Sequence, residues 1–106
     1  MPKYLFEVKY TLDGMKGLKE KGGSARVAAS KALVEEVGGT LESFYFAFGG
    51  RDAFLIADLP DNVASAALGL IVGASGGVNS AVTVLLTPDE IDEAAKKQAT
   101  YRPPGS

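Results

Sequence analysis

Gly49-Gly50-Arg51-Asp52-Ala53-Phe54-Leu55-Ile56-Ala57-Asp58-Leu59-Pro60-Asp61 is the stretch that decides the fold of this 106-residue chain. A glycine turn opens a short apolar run, and Pro-Asp cuts it off. Such a run bounded by turn residues reads as a strand over Asp52–Leu59, and Pro60-Asp61 signals the start of a helix. Immediately upstream, Thr40–Phe48 is rich in Phe, Tyr and Thr and reads as a second strand. Gly49-Gly50-Arg51 between them predicts a hairpin.

Further upstream, Lys3 to Tyr10 alternates: Tyr4, Phe6, Val8 and Tyr10 share one face, and Lys3, Leu5, Glu7 and Lys9 the other. Thr11–Gly23, with Gly14, Gly17, Gly22 and Gly23 among charges, reads as a loop. Ser24 is placed to cap a helix over Ala25–Val37, stopped by Gly38-Gly39. Downstream, Asp61 or Asn62 caps a helix over Val63–Ala74 ending at Gly76-Gly77, and Val78–Leu86 comes next as a strand. Thr87-Pro88-Asp89-Glu90 opens a short last helix. Residues 1–99 are expected to form one domain and residues 100–106 a mobile tail.

Strand-helix-strand, hairpin, strand-helix-strand is the α+β, ferredoxin-like βαββαβ arrangement. It predicts a four-stranded antiparallel sheet in the order 4-1-3-2 with both main helices on one face. The other face is left bare, yet three strands are apolar on both sides. Leu41 and Tyr45 alternate with Phe44, Phe46 and Phe48; Leu55 and Leu59 with Phe54 and Ile56; Val82, Val84 and Leu86 with Ala81 and Leu85. A second apolar face of that size calls for a covering subunit, so a homodimer through the sheet face is expected.

Composition bounds the chemistry. Net charge is -2, which gives no general attraction to nucleic acid. The chain has no cysteine and no histidine, excluding thiol nucleophiles, thiolate metal sites and a Ser-His-Asp triad. No metal and no cofactor are expected. Asn62–Thr87 is low in charge but interrupted by Gly, Ser and Asn, which makes a poor membrane span. The expected location is the cytoplasm, with no membrane partner.

The chain resembles the GYD domain family of small bacterial proteins. The resemblance is carried by Tyr10-Thr11 with Gly14 and Leu18, Arg26, Gly38-Gly39, Phe44-Tyr45, Gly50 with Asp52, and Pro60-Asp61. The family triplet is altered, since Arg51 stands where the family has tyrosine. Membership implies the dimeric α+β barrel architecture and no established activity. Related barrels include cofactor-free monooxygenases and isomerases, an analogy of fold alone.

Four residues stand out as candidate ligand-binding positions: Arg26, Asp52, Tyr45 and Tyr10. Arg26 falls on the apolar arc of its helix, which predicts a buried guanidinium paired with Asp52 or Glu7, or serving an anion. Asp52 opens a strand, where its residue type is disfavoured, and the simpler role is holding nearby backbone amides. Tyr10 and Tyr45 carry phenols on apolar strands, suited either to filling a core or to orienting a small molecule. Two functions from different classes are compatible with these residues. One is a homo-oligomeric small-ligand-binding or assembly module; the other is a cofactor-free enzyme acting on a small aromatic or lactone substrate. Two candidate side chains converging on one cavity would favour the enzyme.

Overall fold

The computed structural model describes residues 1–105. Its elements run β1 (Lys3–Tyr10), α1 (Leu12–Lys21), α2 (Gly23–Glu36), β2 (Thr40–Phe46), β3 (Ala53–Asp58), α3 (Asn62–Ala74), β4 (Val78–Leu85) and α4 (Pro88–Ala95). The strands form one antiparallel sheet in the order β2-β3-β1-β4, the expected order seen from the other edge.

Central β1 sets the pattern of the sheet. Phe6 stands opposite Leu55 on one side and Val82 on the other. Directly opposed residues share a face, so the alternation in β1 is copied into its neighbours. Tyr4, Phe6, Val8 and Tyr10 therefore join Ala53, Leu55 and Ala57, and Val34 of α2 and Leu68 of α3 close over them to form the core. Leu18 of α1 packs against the same cluster.

β2 departs from simple alternation. Leu41 stands opposite Ala57 but Ser43 stands opposite Ile56, so Glu42 is the extra residue of a bulge. One inserted residue reverses the phase of the rest of the strand. Leu41 and Phe44 both face the helices, where unbroken alternation puts them on opposite sides. Tyr45 turns to the other face beside Phe54.

Residues 11–23 correct the sequence reading, because most of them are helical rather than a loop. Thr11 accepts the backbone N–H of Gly14 and caps α1, with Asp13 in the first turn and Lys19 and Lys21 in the last. These charges suit the helix dipole. The Thr11 hydroxyl also donates to the Gly76 carbonyl at 2.8 Å, tying α1 to the turn before β4. Gly14 has to be glycine here: a Cβ would collide with the carbonyl oxygen of Gly77. Gly22 separates α1 from α2 at φ 85°, in the left-handed region that favours glycine. Gly22, not Ser24, is therefore the residue before α2, and no side chain caps that helix.

The hairpin is wider than expected. β2 ends at Phe46, β3 begins at Ala53, and the Ala47 N–H donates to the Asp52 carbonyl at 2.9 Å. Asp61 caps α3 through the Ala64 N–H, and the buried Tyr4 hydroxyl donates to Asn62 at 2.6 Å. Thr87 and Glu90 close a full capping box on α4. Every residue from Leu86 to Gly105 is exposed, and α4 has no buried residue. The tail expected over residues 100–106 ends in Ser106, which lies outside the described residues. Among the described residues, no helix is long and apolar enough to cross a membrane.

Candidate functional site

At the end of the sheet where β1 stops and β3 starts, Asp52 holds three backbone groups together. Its N–H donates to the Val8 carbonyl at 2.8 Å, its own carbonyl accepts from Ala47, and its carboxylate accepts the Tyr10 N–H at 2.9 Å. Lys9 approaches the second carboxylate oxygen at 3.5 Å. The carboxylate is mostly buried, and both oxygens are engaged. This is the structural role that β-propensity and local amide capture suggest for an Asp at a strand start.

Around Asp52 the chain leaves a pocket of about 270 Å³ lined by Met15, Leu18, Gly23, Phe46, Ala47 and Phe48. The lining is nearly all apolar, with one carboxylate in the wall. Small-molecule sites commonly combine such a lining with few polar groups. Gly23 is what lets Phe46 lie so close to the start of α2, since a Cβ there would fall 2.9 Å from the ring. Met15, Leu18 and Phe48 are pocket residues absent from the four candidate positions; Leu18 entered the sequence analysis only through the family resemblance and Phe48 only as an apolar strand residue. The spacing Leu12, Met15, Leu18 behind Thr11 is the signal that could have marked α1 as a helix; Met15 and Leu18 line the pocket, while Leu12 is exposed.

Tyr10 and Asp52 are brought together; the other two candidates are not placed alike. Tyr10 is buried under α1, and that burial pushes its phenol above the ordinary value. Asp52 pushes in the same direction, and the nearby charge of Arg26 opposes it. Arg26 itself is exposed and, among the described residues, makes no ion pair, so the expected buried guanidinium paired with Asp52 or Glu7 is not found. The cause is local. Helical side chains lean toward the N-terminus of their helix, which for Arg26 is the elbow at Gly22 beside α1. Arg26 borders instead a shallow hollow of about 130 Å³ with Gly17, Leu18 and Lys21, its stem lying along the elbow between α1 and α2. Tyr45 is on the opposite side of the sheet, 72 % exposed. Of the four candidates, Asp52 alone lines the larger pocket. Among the described residues no group of acidic side chains could hold a metal ion.

The second surface is the helix-free face of the sheet. Its rows are Tyr45, Phe54, Glu7 and Ala81, then Ser43, Ile56, Leu5 and Thr83, then Thr40, Asp58, Lys3 and Leu85. Tyr45, Phe54, Ile56 and Leu5 make an apolar strip across β2, β3 and β1. Ion pairs flank it: Lys3 with Asp58 at 2.9 Å and Glu42 at 3.0 Å at one end, Lys9 with Asp52 at the other. The hydrogen bond to Asp58, then that to Glu42, raise the Lys3 ammonium above its ordinary value. An apolar centre with a polar rim is the anatomy of a protein–protein contact.

A single antiparallel sheet with order β2-β3-β1-β4 and its main helices on one face defines a small ferredoxin-like α+β protein. More particularly, the model of the GYD domain matches residues 4–95, and the chain belongs to that family. No curated protein and no solved structure matches it.

Proposed function

We propose that the protein is a homo-oligomeric binding module: two copies join through the helix-free sheet faces, and each holds a small apolar molecule in the Asp52 pocket. The observation that carries this reading is the strip Tyr45–Phe54–Ile56–Leu5, apolar and covered by no helix among the described residues. Closing two such sheets on each other gives the α+β barrel that the family resemblance implies.

The pocket favours binding over catalysis. Arg26 and Tyr45 stand away from its wall, and the carboxylate of Asp52 is occupied by Tyr10 and Lys9. Tyr10, with its phenol pushed up, is harder to deprotonate into a base than a free tyrosine. A cofactor-free monooxygenase- or isomerase-like enzyme, the alternative reading, would have only Asp52 in the wall to work with. Thermal-shift screening of aromatic acids, lactones and quinones tests the ligand half of the proposal. A hit is expected to weaken in Phe46→Ala, which removes a pocket wall. A series with no hit, or a hit indifferent to Phe46, contradicts it.

A further inference from the structure

Among the described residues, the arm Leu86–Gly105 buries no side chain against the rest of its own chain. Each of its residues is exposed, yet the sequence specifies α4 firmly, with Pro88 in the first turn and a complete capping box. A capped helix of eight residues does not hold itself in water, since isolated helices below about 12–15 residues are marginal. On α4, Ile91, Ala94 and Ala95 share one edge at helical spacing, and Asp89, Asp92, Glu93 and Lys96 fall on the opposite side. The radius of gyration is 17.0 Å, against about 13 Å for a compact chain of this length. The arm leaves the body rather than folding back on it.

The surface that fits this edge is encoded just upstream. From Asn62 to Pro88 the chain carries no charged residue. α3 buries Ser65 and Leu68 on its inner side. Its outer side is a stripe of Val63, Ala66, Leu70 and Ala74, all exposed, with Val63 at 76 % and Leu70 at 74 %. A helix apolar on all sides belongs in an interior. Beside α3, Val82 and Val84 of β4 stand on the helix side of the sheet and are also exposed.

We propose that α4 of one copy seats its Ile91–Ala94–Ala95 edge on the outer α3 stripe of a second copy, which returns its own arm in exchange. The occupant is a second copy because every chain that extends the arm also presents the stripe. A two-fold exchange satisfies both at once and closes on itself. Ala66 and Ala74, flanking Leu70, leave room for a helix to approach closely. The stripe lies on the helix side of the sheet, opposite the contact proposed above. Neither contact depends on the other, and the two together build an assembly larger than a dimer.

Introduced thiols test this without background, as the chain has no cysteine. Differently tagged full-length Ile91→Cys and Leu70→Cys chains are co-expressed, oxidised gently and separated without reductant. A disulfide-linked product carrying both tags is expected. In the double variant Ile91→Cys/Leu70→Cys, cross-links are expected between chains. Closure within one chain, tags that never join, or equal joining from a control thiol at exposed Glu20 overturns the proposal. In a second measurement, full-length Ile91→Asp keeps the α4 cap, and its core is checked by circular dichroism. Its mass by light scattering is expected to fall below that of the parent; an unchanged mass overturns the exchange. Ile56→Asp, aimed at the sheet face, is expected to leave the Ile91–Leu70 cross-link intact, which tells the failure of one contact from the failure of the other.

Discussion

The carboxylate of Asp52 accepts the backbone N–H of Tyr10 at 2.9 Å, beyond the Val8–Ala53 pair where the β1–β3 ladder ends. One side chain thus extends the ladder and fixes how β1 runs into α1. Asp52→Ala leaves that N–H without its partner, a cost of about 1–3 kcal/mol. Each kcal/mol lowers Tm by about 4–8 °C in a domain of this size. Asp52→Asn keeps an acceptor and is expected to lose clearly less. Thermal melts of the two variants decide it; equal losses would mean that charge, not the hydrogen bond, matters.

Gly14 and Gly17 lie in the same helix and predict opposite outcomes. At Gly14 a Cβ meets the Gly77 carbonyl, so Gly14→Ala pushes α1 off the turn before β4 and is expected to cost about 1–3 kcal/mol. At Gly17 a Cβ meets nothing within 4 Å. Gly17→Ala there gains helix propensity and is expected to stabilise by about 0.4–1 kcal/mol. Denaturant midpoints check both signs.

Tyr10 predicts an alkaline weakness. Its folded pKa is raised above the ordinary phenol value, first by burial. A raised group contributes stability that is complete below its unfolded pKa and is lost as pH rises through its folded one. The advantage of the parent chain over Tyr10→Phe should therefore be constant up to about pH 9 and shrink above about pH 10. Urea unfolding of both proteins across that range measures the difference. A gap that widens with pH would contradict the assigned direction.

Arg26→Met is expected to change stability by no more than about 0.5 kcal/mol, as for other exposed surface positions. A loss several times larger, read from thermal melts, would show that the guanidinium holds a contact in the folded protein.

The order of elements was legible because strong local signals mark it. Pro60-Asp61 starts α3, Gly38-Gly39 ends α2, and Thr87-Pro88 opens α4, each through backbone chemistry that needs no tertiary partner. α1 was hidden because Gly14 and Gly17 lower its helix propensity. Its real support is tertiary: the Thr11 hydroxyl reaching the Gly76 carbonyl from 65 residues away in sequence. The Glu42 bulge was invisible for a similar reason, since the phase of β2 is set by its pairing with β3. Arg26 was misplaced because a helical projection shows angle but not the neighbouring α1, whose Gly17, Leu18 and Lys21 border the same hollow. The Asp52–Tyr10 bond agrees with the amide-holding role expected for Asp52, while the pocket beside it depends on α1 and could not be read without that helix.

Joining of copies through the helix-free sheet face is tested most directly by light scattering on the full-length chain and Ile56→Asp at micromolar concentration. Ile56 stands between Ser43 and Leu5 in the middle row of the strip, so a carboxylate there would have to enter the contact unpaired. The parent chain is predicted to have at least twice the 11.0 kDa chain mass, and Ile56→Asp a smaller mass with unchanged circular dichroism. A parent chain that runs at 11.0 kDa, or a folded Ile56→Asp that keeps the full assembly mass, would contradict it.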